Sequence, residues 1–185
     1  MREKLLLWET AYMITVSLLG TLLHFVYQWS GQRRLVSLFA PINESTWEHL
    51  KLLFFPSLLF TLLEYFAVGK EIENFLPAKV VGILAGMGII VIVFYTYTGI
   101  LGTNWLVADI LTFLLCVVGS SNLFLQLIHY QFFSIQASLG TAILVAVLCA
   151  CFFVFTFSPP HIGLFRDPIT GCYGLKKSCC TRLAK

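Results

Sequence analysis

Charged residues are what this sequence has least of. Lysine, arginine, aspartate and glutamate together make up 11% of its 185 residues, whereas soluble globular domains carry about 25%. Hydrophobic residues make up 58%, and the mean hydropathy is +0.87. So few charges exclude a chain that covers a water-facing surface, and the composition predicts an all-α integral membrane protein in contact with membrane lipid. The net charge of +3 is too small and too unevenly spread to indicate a nucleic-acid partner.

Short motifs that would identify a secreted protein or a metalloenzyme are also missing. The opening residues, MREKLLLWETAYMITVSLLG, run directly into an apolar stretch without a small-residue cleavage site, so we expect no signal peptide. The adjacent Cys179 and Cys180 lack the spacing of a zinc motif. No H-E-x-x-H pair is present either. A metal site in this chain would therefore have to combine residues that are far apart in the sequence.

What the chain does contain is long apolar stretches. A membrane-spanning helix needs about 20 largely apolar residues. Five stretches meet this length, and the predicted spans are 5–29, 45–68, 79–101, 104–132 and 135–157. The remaining residues, 158–185, are too polar to span. The sequence therefore predicts one transmembrane domain over 1–185, a bundle of about five helices with a short polar C-terminal tail.

Lysine and arginine are distributed unevenly between the two sides of the predicted bundle. Five spans place the two termini on opposite sides of the membrane. The N-terminal side carries four basic residues, and the C-terminal side carries eight. The four are Arg2, Lys4, Lys70 and Lys79; the eight are Arg33, Arg34, Lys51, Arg166, Lys176, Lys177, Arg182 and Lys185. Because basic loops face the cytoplasm, we expect a plasma-membrane protein with its N-terminus outside and its C-terminus in the cytoplasm.

The third predicted span contains a G-x-x-x-G pair, Gly82 and Gly86. Small residues at this spacing let another helix approach closely. The partner helix is either another span of the same chain or a second copy. A homo-oligomer that forms through this face is therefore one of the partners that the sequence allows.

The stretch PINESTWEHLK, residues 41–51, concentrates charge where the second span begins. Ser45 and Glu48 have the S-x-x-E spacing of a capping box, which satisfies backbone donors at a helix start. A capping role accounts for these two side chains. It does not account for Glu44 or for His49, which lies one turn into the helix.

Ionisable residues from four separate elements are predicted to reach one level of the membrane. His24 lies about five residues, roughly 7 Å, inside the end of the first span. His49, Asp109 and His161 lie near the same side of the second, fourth and fifth spans. Such groups are costly in lipid and usually pair in the bundle interior. The candidate site consists of His24, His49, Asp109 and His161 as metal ligands, Glu44 and Glu48 as general bases, and Asn43, Asn104, Arg166 and Asp167 as neighbours.

Three segments, LLHFVYQWSG, PINESTWEHLKLLFFP and GLFRDPITGCYG, resemble a family of small, multi-span bacterial membrane proteins catalogued as a domain of unknown function. The resemblance covers nearly the whole chain and implies a helical bundle in a bacterial inner membrane. It implies no activity, cofactor or partner. The chain is also loosely similar to membrane-embedded metal hydrolases of the alkaline ceramidase type. Those have seven spans and a late helix with paired histidines, whereas this chain has five predicted spans and no such pair.

Three classes of function fit these features. The first is a metal-dependent hydrolase that acts on a lipid or amphiphile and holds a divalent ion such as zinc. The second is a transporter or channel for a small solute, although the middle of the third span is apolar and no inverted repeat is visible. The third is a structural or accessory subunit, in which the polar cluster only locks the helices together. The histidines and carboxylates predicted at one level of the membrane favour the first class, the metal-dependent hydrolase.

Overall fold

The computed structural model describes residues 2–133 and 137–175. Within these residues the chain forms helices and no strands. The α-helices are α1 (Arg2–Trp29), α2 (Arg34–Ser37), α3 (Thr46–Ala67), α4 (Phe75–Leu101), α5 (Leu106–His129) and α6 (Ala137–Phe157). Five of them, all except the short α2, are long and apolar enough to cross a membrane. The predicted fold class, a helical membrane protein with about five spans, is confirmed.

The largest difference from the predicted spans is at the start of α4. The helix begins at Phe75, four residues before the predicted start at Lys79. In the sequence, Pro77 and the charged segment that precedes α4 both predict a loop. Proline is tolerated in the first turn of a helix, however, because the backbone N–H groups there have no partner within the helix. Lys79 consequently lies inside the helix and is fully buried.

The chain divides into two compact units, and the first consists of Met1–Leu19 and Leu53–Val145. Its α4 and α5 pack closely because α4 has no side chain at two positions that face α5. A Cβ atom added at Gly82 would lie 2.6 Å from the carbonyl oxygen of Ser120, and one added at Gly86 would lie 3.1 Å from another backbone oxygen of α5. The glycine pair thus serves helix packing within the chain. Association of two copies through this face stays a prediction.

The second unit consists of Gly20–Leu52 and Ala146–Lys185. An aromatic cluster around Trp47 holds its described part together. The Trp47 ring lies 4.7 Å from the ring of Phe152 and 4.9 Å from that of Phe165, measured between centroids. These contacts fix the start of α3 against the end of α6 and against the 3-10 turn that follows it. The histidines of PINESTWEHLK and of the end of α1 belong to this unit.

Candidate functional site

The turn before α3 positions the carboxylate of Glu44. The side-chain oxygen of Asn43 accepts a hydrogen bond from the backbone of Ser45 (3.0 Å), and Ser45 Oγ accepts one from the backbone of Glu48 (3.4 Å). Glu48 does not close the predicted capping box by reaching back to Ser45. Its Oε2 instead accepts from the backbone N–H of Ile42, at 3.1 Å. The turn is therefore held at three points, and α3 begins directly after it.

Glu48 also forms a buried ion pair with Lys51, one turn further along α3. Lys51 Nζ lies 2.7 Å from Glu48 Oε2, and it also donates to the carbonyl oxygen of Ser37 (2.9 Å) and to Thr156 Oγ1 (2.6 Å). The two side chains are at most 3% exposed. All three donors of the ammonium are thus used, which is what a buried charge requires. These are the contacts of a structural pair; the role of Glu48 as a general base stays a prediction.

The structure brings together His24, Glu44 and His49. Glu44 Oε2 lies 3.3 Å from His49 Nε2, and Glu44 Oε1 lies 3.8 Å from His24 Nε2. The two imidazole rings are 5.3 Å apart between centroids. Each of the three residues offers one atom of a kind that binds metals, and these atoms all lie within 4.8 Å of one another. We call this set the His24–Glu44–His49 group.

The imidazole of His49 is held by the turn that starts α3. Its Nδ1 lies 3.0 Å from the carbonyl oxygen of Ser45. A carbonyl oxygen can only accept, so Nδ1 carries a proton. Nε2 faces Glu44, and a hydrogen bond to the ionised carboxylate there needs a second proton on Nε2. Glu44 is partly exposed, with 41% of its side chain accessible. The hydrogen bond with His49 lowers the pKa of Glu44 below its ordinary value, against the opposing effect of burial.

A cavity of about 180 Å³ lies beside the group, and His24 and Glu44 form part of its wall. The loop after α6 supplies the opposite wall through Asp167 and Thr170. Asp167 is 5% exposed, and its carboxylate accepts from the backbone of Ile169 (2.9 Å) and from Thr170 Oγ1 (2.6 Å). These bonds fold the residues after Asp167 into a tight turn.

The other candidate ligands predicted from the sequence are not among the three residues of this group. Asp109 belongs to the first compact unit, where its carboxylate accepts from the hydroxyl of Tyr97 and from Asn104 Nδ2 (3.4 Å). The exposed His161 belongs to the second unit, and its ring lies 4.7 Å from that of Tyr173. Their role as metal ligands stays a prediction.

Arg166 pairs through its backbone with Tyr173 in an isolated antiparallel bridge. Its side chain is exposed. The bridge closes the loop that contains Asp167. Arg166 therefore supports the wall of the cavity through its backbone, while no contact of its guanidinium with the His24–Glu44–His49 group is present in the described part of the chain.

A second set of ionisable side chains lies in the first unit, and the sequence indicates its two glutamates but not their contact with Lys79. Glu9, Glu64 and Lys79 come from three helices and are all buried. Lys79 pairs with both carboxylates, and Ser121 donates a hydrogen bond to Glu9. The signal in the sequence was the presence of two glutamates inside apolar spans, whereas Lys79 was predicted at a loop boundary.

These features define a class: a multi-span helical membrane protein with a histidine–carboxylate group beside a small cavity. The chain belongs to the family described as "Family of unknown function (DUF6512)", whose model matches residues 2–175. No curated protein and no solved structure matches the chain significantly. Membership confirms the expected kinship with a family of unknown function. Bacterial origin stays a prediction.

Proposed function

We propose that this membrane protein binds a divalent metal ion at His24, Glu44 and His49, and that it hydrolyses a small neutral group of a lipid or amphiphile there. The observation that carries the proposal is that three metal-binding atoms, from the end of α1 and from the stretch PINESTWEHLK, lie within 4.8 Å of one another. Two imidazoles and one glutamate are the protein ligands of one common type of catalytic zinc site, which keeps a fourth position open.

The spacing of the ligand atoms fits such an ion. Two atoms bound to one zinc ion at about 2.1 Å, with a tetrahedral angle of about 109°, lie about 3.4 Å apart. The distance from Glu44 Oε2 to His49 Nε2 is 3.3 Å, and that from Glu44 Oε1 to His24 Nε2 is 3.8 Å. These two distances use different oxygens of Glu44, and with one atom per residue the three ligand atoms lie within 4.8 Å of one another. Binding one ion would therefore need the widest pair to close by up to about 1.4 Å.

The surroundings of His49 also suit a metal ligand. Histidine ligands usually give their second ring nitrogen to a carbonyl or carboxylate, which fixes the ring and its tautomer. The carbonyl oxygen of Ser45 takes this part at Nδ1. Nε2 then remains for the ion, which has to displace any proton held there by Glu44. We therefore expect metal affinity to fall as the pH is lowered.

The cavity limits what can be bound beside the ion. Its volume of about 180 Å³ gives room for several water molecules or for a small group. The described residues that line it include two carboxylates, Glu44 and Asp167, and no lysine or arginine. With a divalent ion bound, the formal charges of the ion and the two carboxylates cancel, so the lining offers no excess positive charge to hold an anionic head group. A small neutral ester or amide group fits both the volume and the charge.

A metal ion in such a site supplies a bound water of lowered pKa and a Lewis acid for a carbonyl oxygen. His24 and His49 would hold the ion, and the turn at Ser45 would orient His49. Glu44 has two oxygens that face different partners, so one can bind while the other accepts a proton. The loop at Asp167 would confine the substrate group.

Zinc binding to purified protein tests the proposal. Equilibrium dialysis should find about one zinc ion per chain in the wild type. His24→Gln and His49→Gln should each weaken binding by at least about tenfold, because each removes one of three ligands. His161→Gln is the matched control, since this histidine stacks on Tyr173 outside the group. Equal zinc binding by His49→Gln and the wild type would reject the site.

A structural role is the second candidate, and the contact between Glu44 and His49 favours it. A carboxylate 3.3 Å from an imidazole nitrogen can pair with the protonated ring without any metal. In that case Glu44 joins the end of α1 to the start of α3, and the protein is an accessory subunit. Wild-type protein that binds no zinc but loses thermal stability on Glu44→Gln substitution would select this candidate.

A further inference from the structure

The first compact unit contains two buried carboxylates and one buried ammonium group. Glu9 of α1, Glu64 of α3 and Lys79 of α4 have side chains that are at most 2% exposed. Lys79 Nζ pairs with Glu9 and lies 2.7 Å from Glu64 Oε2. All three helices have the length and composition of membrane spans. We call this set the Glu9–Glu64–Lys79 triad.

The formal charges of the triad do not balance. Two carboxylates and one ammonium sum to −1, and Lys79 is the only basic partner of these carboxylates among the described residues. The remaining neighbours are neutral. Tyr12 lies under the ammonium, with its ring centroid 3.9 Å from Nζ, and its hydroxyl shares hydrogen bonds with the hydroxyl groups of Ser57 and Ser120. An uncompensated charge at this depth would cost several kcal/mol or more, so something must neutralise it.

The hydrogen bonds distinguish the two carboxylates. Glu9 accepts bonds from Lys79 and from Ser121, which suits an ionised group. Glu64 has only the ammonium of Lys79, 2.7 Å from Oε2, and in the described part of the chain no aligned hydrogen-bond donor reaches either of its oxygens. A buried carboxylate with fewer donors is less well stabilised in its charged form. Glu64 is therefore the carboxylate that is better suited to carry a proton.

We propose that the Glu9–Glu64–Lys79 triad is a proton-binding site, with one exchangeable proton held on Glu64 at neutral pH. The bound proton makes the triad neutral: Glu9 and Lys79 remain as an ion pair, and Glu64 is a carboxylic acid beside them. Intramembrane carboxylates that take up and release protons are the working groups of proton relays and proton-coupled carriers. The site is separate from the proposed metal centre and does not depend on it.

A large cavity in the same unit approaches the triad without reaching it. It has a volume of about 980 Å³, and its lining includes Leu5, Asn74 and Asn122. Leu5 lies one helical turn before Glu9 and on the same face of α1. It belongs to a buried apolar cluster with Phe124, whose ring centroid lies 4.4 Å from Lys79 Nζ. A thin apolar layer therefore separates the cavity from the triad.

Infrared spectroscopy of the purified protein tests the assignment through the carbonyl stretch of protonated carboxylic acids. In sodium-free buffer at pH 7 the wild type should show this band, with a shift in deuterated water and loss at high pH. Glu64→Gln should remove it. Glu73→Gln should not, because Glu73 is exposed.

Two results would overturn the proposal. One is a wild-type spectrum without a protonated carboxylic acid at pH 7, which needs no variant to fold. Thermal stability that rises with sodium concentration would then indicate that a metal cation neutralises the triad instead. The other is a band that persists unchanged in folded Glu64→Gln protein.

Discussion

Replacement of Gly82 by alanine would place a methyl group 2.6 Å from the carbonyl oxygen of Ser120 on α5. Carbon and oxygen atoms do not approach so closely, and the obstacle is backbone, which cannot rotate away. Helices α4 and α5 must therefore move apart along their shared face. Overpacking of this kind costs about 1–3 kcal/mol, which at about 2–4 °C per kcal/mol for a chain of this length lowers the melting temperature by several degrees.

Gly88 provides a matched control on the same helix. A Cβ atom added there meets nothing within 4 Å. Alanine is favoured over glycine inside a helix by about 1 kcal/mol, so Gly88→Ala should leave stability unchanged or raise it. Gly86→Ala should fall between the two, because its nearest contacts would be 3.0 and 3.1 Å. Thermal unfolding in one detergent measures all three. A Gly82→Ala protein as stable as Gly88→Ala would refute the close packing of α4 and α5.

Three further predictions concern the second unit. Ser45→Ala should lower the free energy of unfolding by about 1 kcal/mol through loss of a helix cap, and leave zinc binding within twofold of the wild type. Lys51→Met should cost about 3–5 kcal/mol, because it leaves Glu48 buried and unpaired, and adding Glu48→Gln should recover part of the loss in a double-mutant cycle. The pKa of Glu44 is lowered in the folded protein, so the ionised Glu44 side chain stabilises the fold above pH 4.5, the ordinary pKa of this carboxyl group. This stabilisation is lost as the pH falls through the pKa that Glu44 has in the folded protein. Glu44→Gln should remove that part of the acid sensitivity, as measured by melting temperature against pH without metal.

The spans could be predicted from the sequence because apolar length is a strong local signal. α3 begins and ends within one residue of the predicted 45–68. α4 begins four residues before the predicted span, because Lys79 and Pro77 indicate a loop when their surroundings are unknown. Only the positions of Glu9 and Glu64 on other helices explain how a lysine can lie inside this span.

The candidate site was predictable in part. His49 and Glu44 stood out because a helix cap accounts for their neighbours and not for them. The depth of each residue along its span could be estimated, which brought in His24. The direction in which a side chain faces could not, because it depends on the rotation of each helix about its axis. Asp109 is the example: its predicted depth suits a shared site, its side chain bonds to Tyr97 and Asn104, and its role as a ligand stays a prediction.

X-ray absorption at the zinc edge of zinc-loaded protein tests whether His24, Glu44 and His49 hold the ion, because it reports the type and distance of the ligand atoms. We expect two imidazole nitrogens and at least one carboxylate oxygen at about 2.0–2.2 Å, and loss of the imidazole signal in the His24→Gln, His49→Gln double variant. No protein-bound zinc after removal of the free ion, or an imidazole signal that survives the double substitution, would contradict it.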